Sequence, residues 1–321
     1  MAWLQVRLYL LVAVLFGILY GIITAIGTYL GIGGVVPYIV LAFVFLGIQY
    51  LIGPSIVGWT MKVRWVSDKE EPELHKMVAE LATEAGLPKP RVAISQVPIP
   101  NAFAFGRTRH DSRVCVTEGI LKILSKDELK AVLGHELSHI RHRDMMVITL
   151  LSAVPLILYW IAQGIMWGGM SRGRRGNAGY AALIGLGALI LYFITNLLVL
   201  YASRIREYYA DWGSVKLGNQ PTQLATALYK LVYSNARFKG RQELKRVEGA
   251  KAFFVNDPSR AWNEIRELKE VDRDLSGSID TTELLELKQK QLRLGTGDKL
   301  MEIFSTHPNM LKRIKQLSTL V

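Results

Sequence analysis

The sequence predicts an α+β protein that is mainly helical, is integral to a membrane and carries a small sheet in its polar part. Hydrophobic residues make up 50% of the 321 positions, and the mean hydropathy is +0.21. These residues are clustered in long runs, and the polar segments between the runs alternate helix-like with strand-like patterns. Such a composition is typical of a membrane protein with a sizeable water-exposed part.

Four apolar runs are long enough to cross a bilayer core about 30 Å thick, which requires about 20 helical residues. They occupy residues 8–31, 35–59, 145–167 and 178–201. The first run follows Arg7, but it exceeds the roughly 7–15 apolar residues of a secretory signal. We therefore predict two hydrophobic hairpins, one at the N-terminus and one in the middle of the chain.

These hairpins divide the chain into four parts. Residues 1–60 form the N-terminal transmembrane hairpin, 61–144 the first polar part, 145–201 a second transmembrane or re-entrant hairpin, and 202–321 the second polar part. Basic residues flank the spans on the side of the polar parts, which the positive-inside rule makes cytoplasmic; they are Lys62, Arg64, Arg141, Arg143, Arg204 and Arg206. The connection at 168–177 carries three arginines of its own, so the second hairpin is either spanning or re-entrant. We expect a multi-pass protein of the cell membrane with its polar parts in the cytoplasm.

The net charge indicates which partners to expect, and the cysteine content excludes an internal disulfide. The net charge of +12 suits contact with anionic lipid headgroups. The sequence has no basic, aromatic-interleaved motif of the common nucleic-acid-binding modules, so we expect no nucleic-acid partner. Cys115 is the only cysteine; it cannot form an internal disulfide, and we interpret it as a small core residue. The oligomeric state is not predicted.

The first polar part contains recognisable elements. Residues 73–85 have apolar side chains at helical spacing and end at Gly86, which is typical of a helix stop. Residues 91–121 predict two or three short strands around a polar turn at 106–113. Ser125 and Glu128 then form a capping-box pattern. The helix that follows carries the sequence VLGHELSHIRHRD, residues 132–144.

This helix carries the H-E-x-x-H pattern. His135 and His139 are four residues apart, so they share one face and can bind one zinc ion at about 2.0–2.1 Å. Glu136 is placed to reach a metal-bound water without being a ligand itself, and Glu207 in SRIREYYAD is the candidate third ligand. Asp211, one turn later, either accepts a hydrogen bond from a ligand histidine or is a solvated carboxylate. The competing interpretation is a pair of surface histidines with no metal.

Four segments together resemble the HtpX-type membrane zinc metallopeptidases, relatives of the prenyl-protein (CAAX) endopeptidases: GHELSHIRHRD, SRIREYYAD, NAFA at 101–104, and STHP with Arg313. The resemblance implies a gluzincin-like protease domain in which His135, His139 and Glu207 bind one zinc ion and Glu136 is the general base. It also implies an edge strand that pairs with the substrate backbone, formed by Asn101, Ala102, Phe103 and Ala104. His307 resembles a histidine that steadies the oxyanion, near Arg313; capping the turn before Pro308 is its alternative role.

The function expected from these features is zinc-dependent endopeptidase cleavage of unfolded or damaged membrane proteins near the cytoplasmic face. Six residues separate His139 from Met145 and Tyr201 from Glu207, so we expect both ligand helices to continue out of the membrane. Two alternatives remain: a processing endopeptidase for prenylated peptides, and a non-catalytic, calcium-responsive membrane adaptor with structural zinc. Glu136 argues against the adaptor, because a structural zinc site usually has cysteine or histidine as its fourth ligand.

A second motif, DRDLSGSIDTTE at 272–283, fits the twelve-residue EF-hand calcium loop. Its ligand positions are Asp272, Asp274, Ser276, Ser278, Asp280 and Glu283, and the turn glycine is Gly277. Apolar residues within about 262–292 predict flanking helices. Trp262, Ile265 and Leu268 form an apolar stripe before the loop, and Leu284, Leu285 and Leu292 are expected on one face of the helix after it. The alternative is an acidic turn in which Asp280 and Glu283 cap the second helix.

Overall fold

The computed structural model describes residues 36–171, 178–238, 254–255, 261–268, 271–292 and 295–321. The apolar run at 8–31 and the arginine-rich connection at 172–177 lie outside this part of the chain. The chain divides into two compact units. One holds the described residues up to Ile52 and those from Met146 to Ser203; the other holds Gly53–Met145 and Arg204–Val321.

The described elements follow one another in this order: α1 (Val36–Thr60), β1 (Val63–Trp65), α2 (Pro72–Ala85), β2 (Arg91–Ser95), β3 (Ala102–Gly106), β4 (Ser112–Thr117), α3 (Glu118–Ile123), α4 (Lys126–Arg141), α5 (Asp144–Leu151), α6 (Ala153–Ser171), α7 (Ala178–Lys216), α8 (Pro221–Ala236), α9 (Ala261–Leu268), α10 (Thr281–Gln289), α11 (Thr296–Ile303) and α12 (Met310–Ser318). The described chain is therefore mostly helical with one small sheet, in agreement with the predicted fold class at this level.

Three stretches of the described helices are long and apolar enough to cross a membrane: Phe43–Thr60, Asp144–Ile165 and Ala182–Lys216. They overlap three of the four predicted runs. In the first stretch only 11% of the residues are buried within the protein, so most of its apolar side chains face outward. In the first of the two units, Leu151, Val154 and Leu158 pack with Val199 and Ala202.

The second unit contains a four-stranded sheet in the order β1-β2-β4-β3. Strands β2 and β4 are parallel, and the other two pairs are antiparallel. Strand β3 lies at an edge of this sheet and contains Ala102, Phe103 and Ala104 of the predicted edge strand, whereas Asn101 precedes it. The three strands between residues 91 and 117 match the predicted number. Strand β1 was missed because three residues are too few to show an alternating pattern.

The sheet separates two apolar clusters. The larger one includes Val92, Val114 and Val116 of the sheet and packs against helices α2, α4, α8 and α12. The smaller one contains Met61, Phe103, Phe105 and Cys115, so Cys115 is a buried core residue, as predicted. Burial also raises the pKa of its thiol.

Local sequence signals determine where these helices begin and end. Helix α2 ends at Gly86, whose φ of 64° lies in the left-handed region that glycine adopts at little cost. Helix α4 begins with the predicted capping box: the Ser125 hydroxyl accepts from the Glu128 N–H, and the Glu128 carboxylate accepts from the Ser125 N–H. This cap positions the histidine motif, which starts ten residues later.

The prediction that both ligand helices continue out of the apolar runs is wrong for α4. Helix α4 ends at Arg141, and a separate helix, α5, begins at Asp144. Arg143 lies between them with a φ of +56°, a left-handed conformation that interrupts the helix. Helix α7, in contrast, runs without a break from Ala178 to Lys216 and carries Glu207.

The segment around the predicted calcium loop forms two helices, α9 and α10, as expected. Leu268 and Leu284 are buried. The predicted common face of Leu284, Leu285 and Leu292 is wrong: Leu285 is 42% exposed, whereas Leu287 is buried, and Leu292 lies beyond the end of α10 at Gln289. Leu284 and Leu287 are three residues apart and share a helix face, and Leu285 points about 100° away from Leu284. The side chain of Trp262 lies outside the described part of the structure.

Candidate metal centre and active site

His135, His139 and Glu207 converge in the second unit. One ligand atom from each lies within 4.8 Å of the others. The two Nε2 atoms are 3.1 Å apart, and the Glu207 carboxylate oxygens lie 3.6 Å from each Nε2. Helix α4 supplies both histidines because a spacing of four residues places them on one face; helix α7 supplies the carboxylate.

This cluster has the chemistry of a metal site. Oε2 of Glu207 is buried and accepts no hydrogen bond, although Nη1 of Arg313 lies 3.1 Å away. Two imidazole nitrogens facing each other repel unless a proton or a cation lies between them. Two nitrogens and one carboxylate oxygen are a donor set that zinc uses in sites with an open position. The residues present therefore fit a zinc ion.

His135 is held from behind by a buried ion pair. Its Nδ1 lies 2.9 Å from Oδ1 of Asp211. Arg313 donates from Nε and Nη2 to the Asp211 carboxylate at 2.9 and 2.6 Å, and its side chain is 0% exposed. The pair directs Nε2 of His135 toward Glu207. Burial acts to lower the pKa of His135, but its close contact with the Asp211 carboxylate and the nearby Glu207 carboxylate outweigh this and raise the pKa to about 9.

His139 has a corresponding partner that the sequence analysis missed. Its Nδ1 lies 2.7 Å from Oδ2 of Asp144, and Oδ1 of Asp144 contacts Arg206. Arg206 also donates to the carbonyl of His142 at 3.0 Å. Because Arg206 precedes Glu207, this contact links the end of α4 to the helix that carries the third ligand. Burial and then the neighbouring His135 lower the pKa of His139 to about 4.

Glu136 lies beside the cluster without belonging to it. Its side chain is buried, and its Oε2 accepts a hydrogen bond from the N–H of Ala104 at 2.7 Å. Burial raises the pKa of this carboxyl, because a low-dielectric environment disfavours the charged form. The candidate base is therefore in direct contact with edge strand β3.

The other residues of the NAFA segment have structural contacts. Oδ1 of Asn101 accepts the N–H of Val255 at 2.9 Å, and Arg313 donates to the carbonyl of Val255 at 2.6 Å. Phe103 is buried and lies 5.6 Å from Phe105, centroid to centroid. Ala102 is also buried. The backbone of Ala104 is thus the part of the segment that the structure places against the candidate base.

His307 also reaches the cluster. Its Nε2 is 3.8 Å from Oε1 of Glu207, and its Nδ1 is 2.9 Å from the Thr306 hydroxyl. Its own N–H donates to the Ser305 hydroxyl at 3.2 Å. The imidazole therefore faces the candidate metal site, while its backbone is part of the turn that leads into α12.

The predicted calcium loop brings part of its ligand set together. One carboxylate oxygen each from Asp272, Asp274 and Glu283 lies within 4.8 Å of the others, and Gly277 has a φ of +78°. Asp280 does not belong to this cluster and caps α10: its Oδ1 accepts the Glu283 N–H at 2.8 Å. The hydroxyls of Ser276 and Ser278 are 2.9 Å apart. The loop thus combines a carboxylate cluster with the capping box that was its alternative interpretation.

Comparison with known proteins identifies the family of this chain. The sequence profile of peptidase family M48 matches residues 68–321. A protein named protease HtpX homolog from Methanothermobacter thermautotrophicus is 54% identical over 229 residues, which cover 71% of this chain and 86% of the relative. Another protein with that name, from Pyrococcus furiosus, is 36% identical over 318 residues, 98% of this chain and 95% of the relative.

The fold is also similar to a solved structure, the crystal structure of S. mikatae Ste24p. The TM-score is 0.52 at 16% sequence identity, over 99% of this chain and 67% of that one. With its profile match and a cluster of two histidines and one glutamate, this chain belongs to peptidase family M48. Within that family it is of the HtpX type, to which its curated relatives are assigned.

Proposed function

We propose that this protein is a zinc-dependent endopeptidase of the membrane. The observation that supports this most directly is a buried carboxylate, Glu136, next to a cluster of two imidazoles and one carboxylate that fits zinc. A purely structural site has no use for such a base. Family membership supports peptide hydrolysis as the reaction.

Each residue then has a definite task. When bound, zinc supplies Lewis-acid polarisation of the scissile carbonyl and lowers the pKa of water. Glu136 accepts the proton of the attacking water and delivers it to the leaving amine. His307, 3.8 Å from Glu207, is placed to donate a hydrogen bond to the oxygen that becomes negative. Asp211 and Asp144 hold the two ligand imidazoles in position.

The proposed substrates are unfolded or damaged membrane proteins, cut close to the cytoplasmic face of the cell membrane. This placement is supported by the sequence interval of six residues between Tyr201, at the end of an apolar run, and Glu207. Six residues of helix rise about 9 Å. A centre so near a bilayer meets segments that emerge from the membrane more readily than it meets soluble chains.

Two other functions predict different results. A processing enzyme for prenylated peptides would cut only lipid-modified C-termini. A membrane adaptor with structural zinc would cut nothing and would lose its shape when zinc is removed. We favour quality control because basic residues flank the apolar runs, Arg64 and Arg206 among them, which supports a cytoplasmic side for the polar parts. Unfolded segments of many membrane proteins emerge on that side, whereas nothing in the sequence indicates a pocket for a prenyl group.

The decisive test uses detergent-purified protein loaded with zinc and a membrane-tethered substrate with an unfolded cytoplasmic segment. Glu136→Gln should keep stoichiometric zinc and lose cleavage by several orders of magnitude. Glu118→Gln, an exposed carboxylate in the first turn of α3, is the matched control and should cleave normally. Wild-type cleavage by Glu136→Gln would exclude the mechanism. Equal cleavage of soluble unfolded chains would count against the placement at the membrane.

We also propose that calcium binds the loop at 272–283 and modulates this activity. Three carboxylates of the loop already lie together. Asp272 is connected to the rest of the unit, because the Tyr229 hydroxyl of α8 donates to its Oδ2 at 2.7 Å. Calcium would draw Glu283 away from the Arg273 N–H that it now accepts at 2.6 Å. Such a change would order the loop and alter substrate access.

Titration calorimetry of the whole protein in detergent tests this second proposal. Calcium should produce a saturable heat that Glu283→Ala abolishes. Glu286→Ala, one turn further along α10 and half exposed, should leave that heat intact. If the wild-type protein gives no such heat, the loop is only a capped turn.

A further inference from the structure

Helix α11 exposes its apolar side chains and buries its acidic ones, the opposite of the usual arrangement on a water-exposed surface. Leu300 is 58% exposed, Met301 39%, Ile303 41% and the adjoining Phe304 54%. Asp298 and Glu302 of the same helix are buried. Surface helices normally bury their apolar face and expose their charges, and here the two faces are exchanged.

The buried carboxylate face is held by specific contacts, so the reversal is a property of the fold. Oε2 of Glu302 lies 2.5 Å from Nζ of Lys312, and Oε1 accepts the N–H of Asn309 at 3.4 Å. A buried carboxylate without such partners would be strongly destabilising. Helix α11 therefore cannot turn its apolar face inward without breaking these contacts.

The end of α11 is bound to a residue next to a predicted membrane boundary. Nη1 of Arg204 donates to the carbonyls of Glu302, Ile303 and Ser305 at 2.8, 3.0 and 2.7 Å. Arg204 follows Tyr201, the last residue of an apolar run, by three positions in the same helix, α7. That interval is a rise of about 4.5 Å, less than one helical turn.

We propose that the exposed face of α11, formed by Leu300, Met301, Ile303 and Phe304, inserts into the bilayer interface. A lipid surface is the occupant that these contacts favour, because Arg204 ties the carbonyl end of the face to the place where the span of α7 leaves the bilayer. An in-plane helix of this kind buries its apolar side about 5–10 Å into the headgroup region. Lys299 at the edge of the face is exposed and suits anionic headgroups. This inference rests on the membrane-spanning part of the proposed function.

The inserted helix would have a consequence for the site. His307 follows Phe304 by three residues, and its imidazole faces Glu207. Insertion of α11 would therefore fix the height of the candidate metal centre above the lipid, and the bilayer itself would limit which part of a substrate reaches Glu136. The surface is thus a positioning device for substrates that emerge from the membrane.

The test measures lipid contact and does not depend on activity. Single cysteines are introduced by Leu300→Cys and Ile303→Cys, labelled with an environment-sensitive fluorophore and reconstituted in phosphatidylcholine–phosphatidylglycerol vesicles. The phosphatidylcholine acyl chains are brominated or unbrominated. Cys115 is buried, and the unsubstituted protein measures its background labelling. Leu285→Cys is the matched control, since Leu285 is an exposed leucine on α10. Ile194→Cys, exposed within the apolar run of α7, is the reference for a membrane span.

We expect brominated lipid to quench the labels at 300 and 303 several-fold more than the label at 285, and iodide in the water to quench them less. Equal iodide quenching at 300, 303 and 285 would overturn the proposal. Protection of these labels from iodide only at high protein density would also overturn it, by indicating a second copy as the occupant. Protection only when an unfolded polypeptide is added would indicate a substrate instead and would overturn it as well. If position 194 also escapes lipid quenching, the membrane assignment itself fails, and the two failures are thus distinguishable.

Discussion

The N–H of Ala104 donates a 2.7 Å hydrogen bond to Oε2 of Glu136, so the edge strand and the candidate base are directly connected. Within the described sheet, β3 pairs with β4 alone. Along an edge strand, the backbone groups of alternate residues point away from the neighbouring strand. The N–H of Ala104, which lies opposite Val114 in the register, points to Glu136 in this way. The strand predicted to align a substrate thereby also sets the position of the carboxylate proposed as the general base.

Ala104→Pro removes this N–H without deleting a side chain. Proline is tolerated on edge strands where the N–H faces away from the sheet. A hydrogen bond to a charged group contributes about 1.5–3 kcal/mol, so we expect kcat/KM to fall by about 10- to 100-fold. Ala104→Ser keeps the N–H and is the control. A Pro variant with wild-type kcat/KM and an unchanged melting temperature would show that this hydrogen bond has no part in the reaction.

Asp144 should determine how tightly the metal binds. It holds Nδ1 of His139 at 2.7 Å and contacts Arg206, so Asp144→Ala frees the imidazole to rotate and removes one of the contacts between the end of α4 and α7. Loss of such an outer partner typically costs 10–100-fold in metal affinity, and we expect about that decrease for zinc. Competition with a chromogenic chelator measures it, independently of cleavage.

Asp144→Asn separates two roles of this carboxylate. The amide can still accept a hydrogen bond from His139, but it has no charge for Arg206, so an intermediate affinity is expected. Asp127→Asn, an exposed carboxylate in the first turn of α4, should bind zinc like the wild type. Unchanged zinc affinity in Asp144→Ala would mean that His139 is held by its helix alone.

Arg313 should be essential for stability. It is fully buried and forms ion pairs with Asp211 at 2.6 Å and Glu207 at 3.1 Å. Removing one member of a buried ion pair leaves the other charge uncompensated and costs about 3–5 kcal/mol. We expect Arg313→Ala to lower the free energy of unfolding by that amount, as measured by urea denaturation of the metal-free protein in detergent.

A double-mutant cycle identifies the cause of that loss. If the uncompensated charge of Asp211 is responsible, Asp211→Asn in the Arg313→Ala background should recover part of the stability. Additive losses would instead indicate that Arg313 stabilises the protein through its packing and its bond to Val255. Arg313→Lys keeps the charge but not the planar guanidinium, so its free energy of unfolding should lie between those of the wild type and Arg313→Ala.

Site residues that lie within one helix could be predicted from the sequence, and those whose contacts depend on tertiary structure could not. His135, Glu136 and His139 lie within one helix, where the helical period determines which side chains share a face. Asp211 was considered as a histidine partner because it is one turn from Glu207. Asp144 was missed because its contact with His139 depends on the break at Arg143, where a left-handed residue interrupts the helix. No local pattern in RHRD indicates such a break.

Long-range packing explains the other differences. Leu285 fitted the same helical pattern as its neighbours, and only the position of α10 against the core distinguishes it from Leu287. Strand β1 is defined by its pairing with β2 and not by its own three residues. The role of Asn101 was predicted from resemblance alone, whereas its contact with Val255 spans more than 150 residues of sequence and is invisible before the chain is folded.

Asn101→Ala distinguishes these two roles of Asn101. If the side chain mainly holds the chain at Val255, its loss leaves a buried N–H without an acceptor and costs about 1–3 kcal/mol of stability, while KM for short peptides stays the same. If it binds substrate, KM rises and stability is nearly unchanged. We expect the first result, because Oδ1 of Asn101 is buried and accepts the Val255 N–H at 2.9 Å. Thermal unfolding and initial-rate kinetics on the same preparation measure both quantities. A raised KM of Asn101→Ala at full stability would reverse the assignment.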